Sequence, residues 1–189
     1  MATECLSMMY AYGWGVKDYN KAKQYLNRLI EMGDEDSISV LADLMVSESE
    51  SIEDKEEGFR TLKERAESSD PAAACILGIY HYENRMKDGS LDEAARWFKK
   101  SAEEGNGFAC FYMGSIYSDE SFDKHSDTEA FDWYLRGAQL RNMDCMDCLV
   151  ECYRIGKGVE IMESEAANWE TICRDTDMNL FNRPCGCRV

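Results

Sequence analysis

The sequence predicts an all-α protein, an α-solenoid wound as a right-handed superhelix from about five helix-turn-helix repeats of about 36 residues each. Two observations predict this class. A small residue followed four positions later by an apolar residue recurs in steps of 35, 36, 36 and 36 residues. No segment alternates apolar and polar residues with the period of two that is typical of strands. The recurring small residues are Ala2, Ser37, Ala73, Ala109 and Cys145.

The first half of each repeat is predicted to be a helix, called helix A. Positions four and five after the opening small residue lie on the same face of a helix as that residue, so this face is expected to pack against a neighbour. The position at an offset of four holds Leu6, Leu41, Leu77, Met113 and Leu149. The next position is small in the first four repeats, at Ser7, Ala42, Gly78 and Gly114.

The second half of each repeat is predicted to be another helix, called helix B. A small residue recurs at intervals of 36, at Ala22, Gly58, Ala94, Ala130 and Ala166. Three positions later stand Tyr25, Thr61, Trp97, Trp133 and Trp169, and we expect this mostly aromatic column to be the packing column of helix B. Helix B is expected to end at Gly33, Gly105 and the polar pairs around Ser69 and Asn142, where a C-cap needs positive φ.

These patterns assign residues 1–180 to one solenoid domain and residues 181–189 to a cysteine-containing tail. The predicted repeats span residues 2–36, 37–72, 73–108, 109–144 and 145–180. The acidic run at 48–57 is predicted to be a solvated loop between the two helices of the second repeat, the alternative being a docking site for a basic partner.

Three runs of the sequence, at 2–22, 73–105 and 145–169, resemble the Sel-1-like repeat, a relative of the tetratricopeptide repeat. That family's pattern reads A-x-x-x-L-G-x-x-Y-x-x-G-x-G-V, then an acidic spacer, then K-A-x-x-W and A-x-x-G. The resemblance extends over residues 2–177 and implies a protein that binds other proteins, as a scaffold or adaptor.

The charge balance indicates which partners the chain can bind. With 21 basic and 37 acidic residues, the formal net charge is −16, which repels nucleic acid and anionic membranes. We therefore expect a basic or neutral protein partner. No apolar run approaches the length of a membrane span, and the first residues lack the layout of a signal peptide, so we expect a cytoplasmic protein.

Nine cysteines allow three interpretations. Cys145 and Cys148 form a C-x-x-C pair, and Cys185 and Cys187 could complete a zinc site. A secreted branch of the resembling family bridges its helices with disulfides, but the odd count and irregular spacing here favour a reducing compartment. The repeat register favours buried thiols that act as small hydrophobes, because Cys145 occupies the position of Ala73 and Ala109. We therefore predict no metal and no cofactor.

Motifs of catalysis are missing from the sequence: it has no G-x-S-x-G, no P-loop and no H-E-x-x-H. Only two histidines are present. We predict that the protein is not an enzyme.

The partner site is predicted from helical angles. At about 100° per residue, offsets 2, 6 and 9 of helix A point away from its core face and would line the concave side of a solenoid. The alternative is that these side chains pack against the next repeat as part of the core. The predicted groove residues are Asp43, Cys75, Ile79, Tyr82, Phe111, Asp147, Glu151 and Arg154.

The sequence thus predicts a non-enzymatic interaction module, an adaptor or scaffold that binds a protein or peptide in a groove lined by the A helices. The alternative is a bacterial immunity protein that binds and neutralises a basic toxin domain, suggested by small size and strong negative charge.

Overall fold

The computed structural model describes residues 18–83 and 90–181, with side chains described as far as Thr176. This part of the chain contains nine α-helices and no strand, so the all-α repeat class is confirmed. The helices, numbered in chain order, are α1 (Tyr19–Glu31), α2 (Asp36–Glu48), α3 (Ile52–Glu67), α4 (Pro71–Tyr82), α5 (Leu91–Glu103), α6 (Gly107–Ser118), α7 (Asp127–Gln139), α8 (Met143–Ile155) and α9 (Glu163–Phe181). Helices α2, α4, α6 and α8 are A helices, and the others are B helices. The A helix predicted for the first repeat lies outside the described residues.

Four of the described B helices begin at side-chain caps that recur with the repeat. An oxygen of the capping side chain accepts a hydrogen bond from the backbone N–H three residues later, which satisfies one of the free donors of the first turn. The caps of α1, α3, α5 and α7 are Asp18, Ser51, Ser90 and Ser126.

The turns that follow the B helices also repeat. A left-handed residue occurs every 36 positions, at Gly33, Ser69, Gly105 and Arg141, with φ of 92°, 68°, 90° and 63°. Within the polar pair predicted around Asn142, the left-handed residue is Arg141. Asn142 has φ −77° and instead caps α8, since its side chain accepts a hydrogen bond from the N–H of Cys145 at 2.9 Å.

The acidic run at 48–57 is mostly helical, so the prediction of a solvated loop was wrong. Helix α2 ends at Glu48 and α3 begins at Ile52. Ser51 caps α3, and Glu53 and Asp54 lie in its first turn, where negative charge is favoured by the helix dipole. A charge run that looks like a loop therefore starts a helix.

The chain divides into two compact units, Met1–Leu77 and Gly78–Val189, and the division falls within α4. In the first unit, α1 packs on α2 and α2 on α3. One cluster of its core contains Ala22, Leu26, Leu29 and Leu44.

A polar network joins α1 to the start of α3 in the first unit. The carboxylate of Asp54 accepts hydrogen bonds from Tyr19 Oη at 2.7 Å, from Lys23 Nζ at 3.0 Å and from Ser49 Oγ at 3.0 Å. These hydrogen bonds, the one from Tyr19 above all, lower the pKa of Asp54 from 3.8 to about 2. The carboxylate is thus held in its charged form.

In the second unit, each helix from α5 to α9 packs on the next, and the A helices α6 and α8 also contact each other. The largest fully buried side chains of this unit are Phe98, Met113, Ile116, Met146 and Leu149. All five come from repeated positions on helices A and B.

Close packing between helices depends on a glycine of helix A and a ring of helix B. A Cβ on Gly78 would lie 2.6 Å from Cδ1 of Phe98, and a Cβ on Gly114 would lie 2.3 Å from Cε1 of Tyr134. The two glycines are 36 residues apart, and so are the two rings. No side chain at either glycine fits without moving a buried ring.

The main packing column of helix B is one position later than the sequence predicts. Leu26, Leu62, Phe98 and Tyr134 are all buried at this later position. In the predicted column Trp97 is buried, but Trp133 and Trp169 are only half-buried. In the third and fourth repeats the reason is that Phe98 and Tyr134 point at the glycines of helix A, Gly78 and Gly114.

Candidate partner-binding site

Five aromatic rings form a continuous series of contacts in the second unit, here called the aromatic strip. Its members are Tyr82, Phe98, Tyr112, Phe111 and Tyr134. Tyr112 stacks on Phe98 with 4.6 Å between ring centroids, and contacts Tyr82 and Phe111 edge-on at 5.6 Å each. Phe111 also contacts Tyr134 at 6.4 Å. Rings at these separations attract one another, so the strip is a fixed surface.

Two rings of the strip are buried in the core, and the other three are partly exposed. Phe98 is 0% exposed and Tyr134 is 6% exposed. Tyr82, Phe111 and Tyr112 are half-buried, so part of each ring remains accessible. Fixed aromatic rings with free surface are typical of the residues that contribute most to protein interfaces.

Of the residues predicted from helical angles, the structure brings Tyr82 and Phe111 together, because both contact Tyr112. Ile79 lies one turn before Tyr82 in α4 and is also half-buried. Phe111, on α6, also contacts Tyr134 on α7, the helix B of the same repeat. Tyr82 and Phe111 are therefore partly packed and partly exposed.

The phenol of Tyr134 lies among small polar groups of α6 and α8. Ser118 Oγ is 3.5 Å from Tyr134 Oη. Burial raises the pKa of Tyr134. Burial also raises the pKa of the nearby Cys148 thiol, although a hydrogen bond from Tyr134 acts to lower it. Both groups are therefore neutral near pH 7 and can act only by hydrogen bonding.

Acidic residues lie on α8 beside this end of the strip. Asp147 precedes Cys148 in the chain, and Asp147 and Glu151 are both exposed. Burial and the neighbouring carboxylate of Asp147 raise the pKa of the Cys173 thiol on α9. Arg154 is exposed as well, but it forms an ion pair with Glu170 of α9. With Arg154 paired, the other exposed charges on this part of α8, those of Asp147 and Glu151, are negative.

Two predicted groove residues belong to the first unit. Asp43 is half-buried on α2. Cys75 is 7% exposed, so its thiol is part of the core rather than of a surface that a partner could reach. A helical angle gives the direction of a side chain but not what covers it.

None of the described cysteines is in a disulfide, and no group of three or more His, Cys, Asp or Glu side chains that could hold a metal ion occurs among the described residues. Cys145 is fully buried, with Sγ 3.8 Å from the carbonyl oxygen of Gly107. Burial raises the pKa of Cys145, and it raises that of Cys152 to about 11, which keeps both protonated and disfavours metal binding. Cys185 and Cys187 lie outside the described residues.

The stacked helical hairpins of this chain, with the aromatic strip on their surface, place it in the class of α-helical repeat proteins. Within that class, the model of the Sel1 repeat family matches residues 5–34, 71–106 and 107–142, more than half of the chain. The chain therefore belongs to the Sel1 repeat family, whose repeats are generally non-catalytic modules for protein interaction. The matched ranges correspond to the first, third and fourth predicted repeats.

Two solved structures show the same fold. A Sel1 repeat protein from Oxalobacter formigenes is 22% identical, with a TM-score of 0.72, over 95% of this chain and 73% of its own. A protective antigen present in uropathogenic Escherichia coli strains, which displays an SLR fold, is 22% identical with a TM-score of 0.69. The match covers 92% of this chain and 38% of the antigen. The search of curated proteins returns no significant match.

Among the described residues, no helix combines the length and the apolar character needed to cross a membrane.

Proposed function

We propose that this chain is a non-enzymatic adaptor or scaffold that holds a protein or peptide partner against the aromatic strip. The observation that carries the proposal is the contact of Tyr82 and Phe111 with Tyr112, which leaves three half-buried rings on one surface. Such rings lose little conformational entropy on binding, because their neighbours already fix them.

Charge supports a basic or neutral partner. Asp147 and Glu151 are exposed on α8, and the whole chain carries a net charge of −16. An acidic edge next to an apolar surface attracts a segment with apolar anchors and flanking lysines or arginines, and it repels nucleic acid.

The free thiols support a cytoplasmic module. Cys148 and Cys173 are half-buried and unbridged, and such thiols persist in a reducing compartment.

Site-specific photocrosslinking tests the proposal. Phe111 is replaced by p-benzoylphenylalanine, which keeps an aromatic ring at the centre of the strip. Phe108 is the matched control, because it is an exposed phenylalanine of the same helix outside the strip. We expect crosslinks to a protein partner from position 111, identified by mass spectrometry, and few from position 108. Equal yields from the two positions, or none from either in cells that make the protein, would contradict the proposal.

An immunity protein is the second candidate, and the observation that favours it is the net charge of −16 on 189 residues. Binding to a basic toxin domain would depend on long-range attraction, so its association rate would fall steeply as salt rises. Co-purification with a basic toxin domain and loss of toxicity on co-expression would favour this candidate. A neutral partner whose association rate is insensitive to salt would exclude it.

A further inference from the structure

A second apolar surface lies far along the chain from the strip, where α8 ends and α9 begins. Ile155, Ile161 and Met162 are 56%, 67% and 41% exposed, and together they are called the isoleucine patch. Ile155 is the last residue of α8, and the other two end the loop that leads to α9. Loops of soluble proteins are usually polar, so three large apolar side chains here call for an explanation.

The loop is held in one conformation by its backbone. Gly156 ends α8 with φ 75°, and its N–H donates to the carbonyl of Cys152 at 2.9 Å. The N–H of Met162 donates to the carbonyl of Tyr153 at 2.9 Å. Gly158, with φ 73°, lies so close to α7 that a Cβ would be 2.0 Å from the carbonyl oxygen of Asp127. The exposed side chains are therefore presented by a rigid loop.

The side chain of Ile161 lies against the end of α8. A Cβ on Gly156, the neighbour of Ile155, would be 2.9 Å from Cγ1 of Ile161. Ile161 therefore lies next to the residue that follows Ile155, and because backbone hydrogen bonds already hold the loop, little backbone entropy is lost when the patch is covered.

The charges that surround the patch are negative. Glu160 and Glu163 are exposed within the same segment, and neither makes an ion pair with a described residue. The nearby cations are engaged: Lys157 Nζ lies 3.5 Å from the carboxylate of Asp127, and Arg154 pairs with Glu170. A second copy of this chain, itself carrying −16, would be repelled.

We infer that the isoleucine patch is a docking surface for a basic amphipathic segment of another protein. The apolar face of that segment covers Ile155, Ile161 and Met162, and its lysines or arginines face Glu160 and Glu163. The inference is independent of the proposed function, because it involves other residues, at the C-terminal end of α8 and in the loop before α9. If both surfaces are used, the chain links two partners.

The test uses a fluorescein-labelled synthetic peptide of about 18 residues, with leucines on one helical face and lysines on the other. Its Kd is measured by fluorescence anisotropy with the full chain and with the Ile155→Ser/Ile161→Ser variant. Ile52→Ser is the matched control, because Ile52 is an isoleucine 70% exposed in the first unit. Two further peptides replace every lysine with glutamate, or every leucine with serine.

We expect the double variant to weaken binding of the leucine–lysine peptide by about ten-fold or more, and Ile52→Ser to change it by less than about two-fold. The two altered peptides should bind at least about ten-fold more weakly than the original. Phe108→Ser, at an exposed phenylalanine of α6 outside both surfaces, should leave this binding unchanged. Equal losses in the double variant and the control, or equal binding of the glutamate peptide, would overturn the inference. So would a dimer of the unmodified chain that Ile161→Ser dissociates, since the patch would then be an interface between copies.

Discussion

Replacing Gly58 with alanine separates what the repeat pattern predicts from what the structure predicts. The equivalent position holds alanine in the other four repeats, at Ala22, Ala94, Ala130 and Ala166. Alanine is a better helix former than glycine by about 1 kcal/mol in the interior of a helix. From sequence alone, Gly58→Ala is expected to stabilise the protein.

The structure predicts the opposite sign. A Cβ on Gly58 would lie 2.7 Å from the carbonyl oxygen of Ala42, 2.8 Å from Cγ2 of Val46 and 3.2 Å from Cβ of Met45. The carbonyl cannot move unless α2 shifts away from α3. Overpacking of this kind costs about 1–3 kcal/mol, and contact with backbone places Gly58→Ala near the upper end. After the gain in helix propensity, we expect a net destabilisation of about 1–2 kcal/mol.

Urea unfolding followed by circular dichroism at 222 nm measures this change. Ala167→Gly, at an exposed position of α9, is the matched control, since it changes helix propensity alone and should cost about 1 kcal/mol. If Gly58→Ala raises the midpoint of unfolding, α2 and α3 do not approach as closely as described, and the packing argument fails.

Three other predictions concern single contacts. Gly114→Ala should lower the free energy of unfolding by about 1–2 kcal/mol, measured by urea unfolding, because the new methyl group must displace the buried ring of Tyr134; unchanged stability would contradict this packing. Asp54→Asn should lower the free energy of unfolding at neutral pH, because the hydrogen bonds to Asp54 stabilise the fold only while its carboxylate is charged. The difference in unfolding free energy between variant and unmodified protein should shrink as pH falls from 3.8 towards about 2. A difference that stays constant across the acid titration would refute the network. In the native protein, a maleimide followed by mass spectrometry should label half-buried Cys148 before fully buried Cys145, and the reverse order would be inconsistent with the burial described here.

The helices and turns could be predicted because each depends on local residue types that repeat. The left-handed positions Gly33, Ser69, Gly105 and Arg141 recur every 36 residues and end the B helices. Arg141 carries no turn signal of its own, so only the period could have located it. The helical start of the acidic run was missed because the cap at Ser51 was not recognised.

The candidate site could be predicted only in part. Helical angles singled out Tyr82 and Phe111, but they missed Tyr112, whose position holds Ile76 and Cys148 in neighbouring repeats and therefore carries no repeated signal. The stacking of Tyr112 on Phe98 joins two different repeats, and such contacts depend on how hairpins meet. One sequence signal pointed to the buried rings of the strip. Phe98 and Tyr134 are 36 residues apart, as are Gly78 and Gly114, the glycines that these rings pack against.

The affinity of the crosslinked partner for two variants tests whether a protein partner is anchored on the aromatic strip. Tyr82→Ala/Phe111→Leu should raise the Kd by about 100-fold, measured by calorimetry on protein whose circular dichroism is unchanged. Phe108→Ala should change the Kd by less than about three-fold. Equal affinity of both variants for the partner would show that binding takes place elsewhere on the chain.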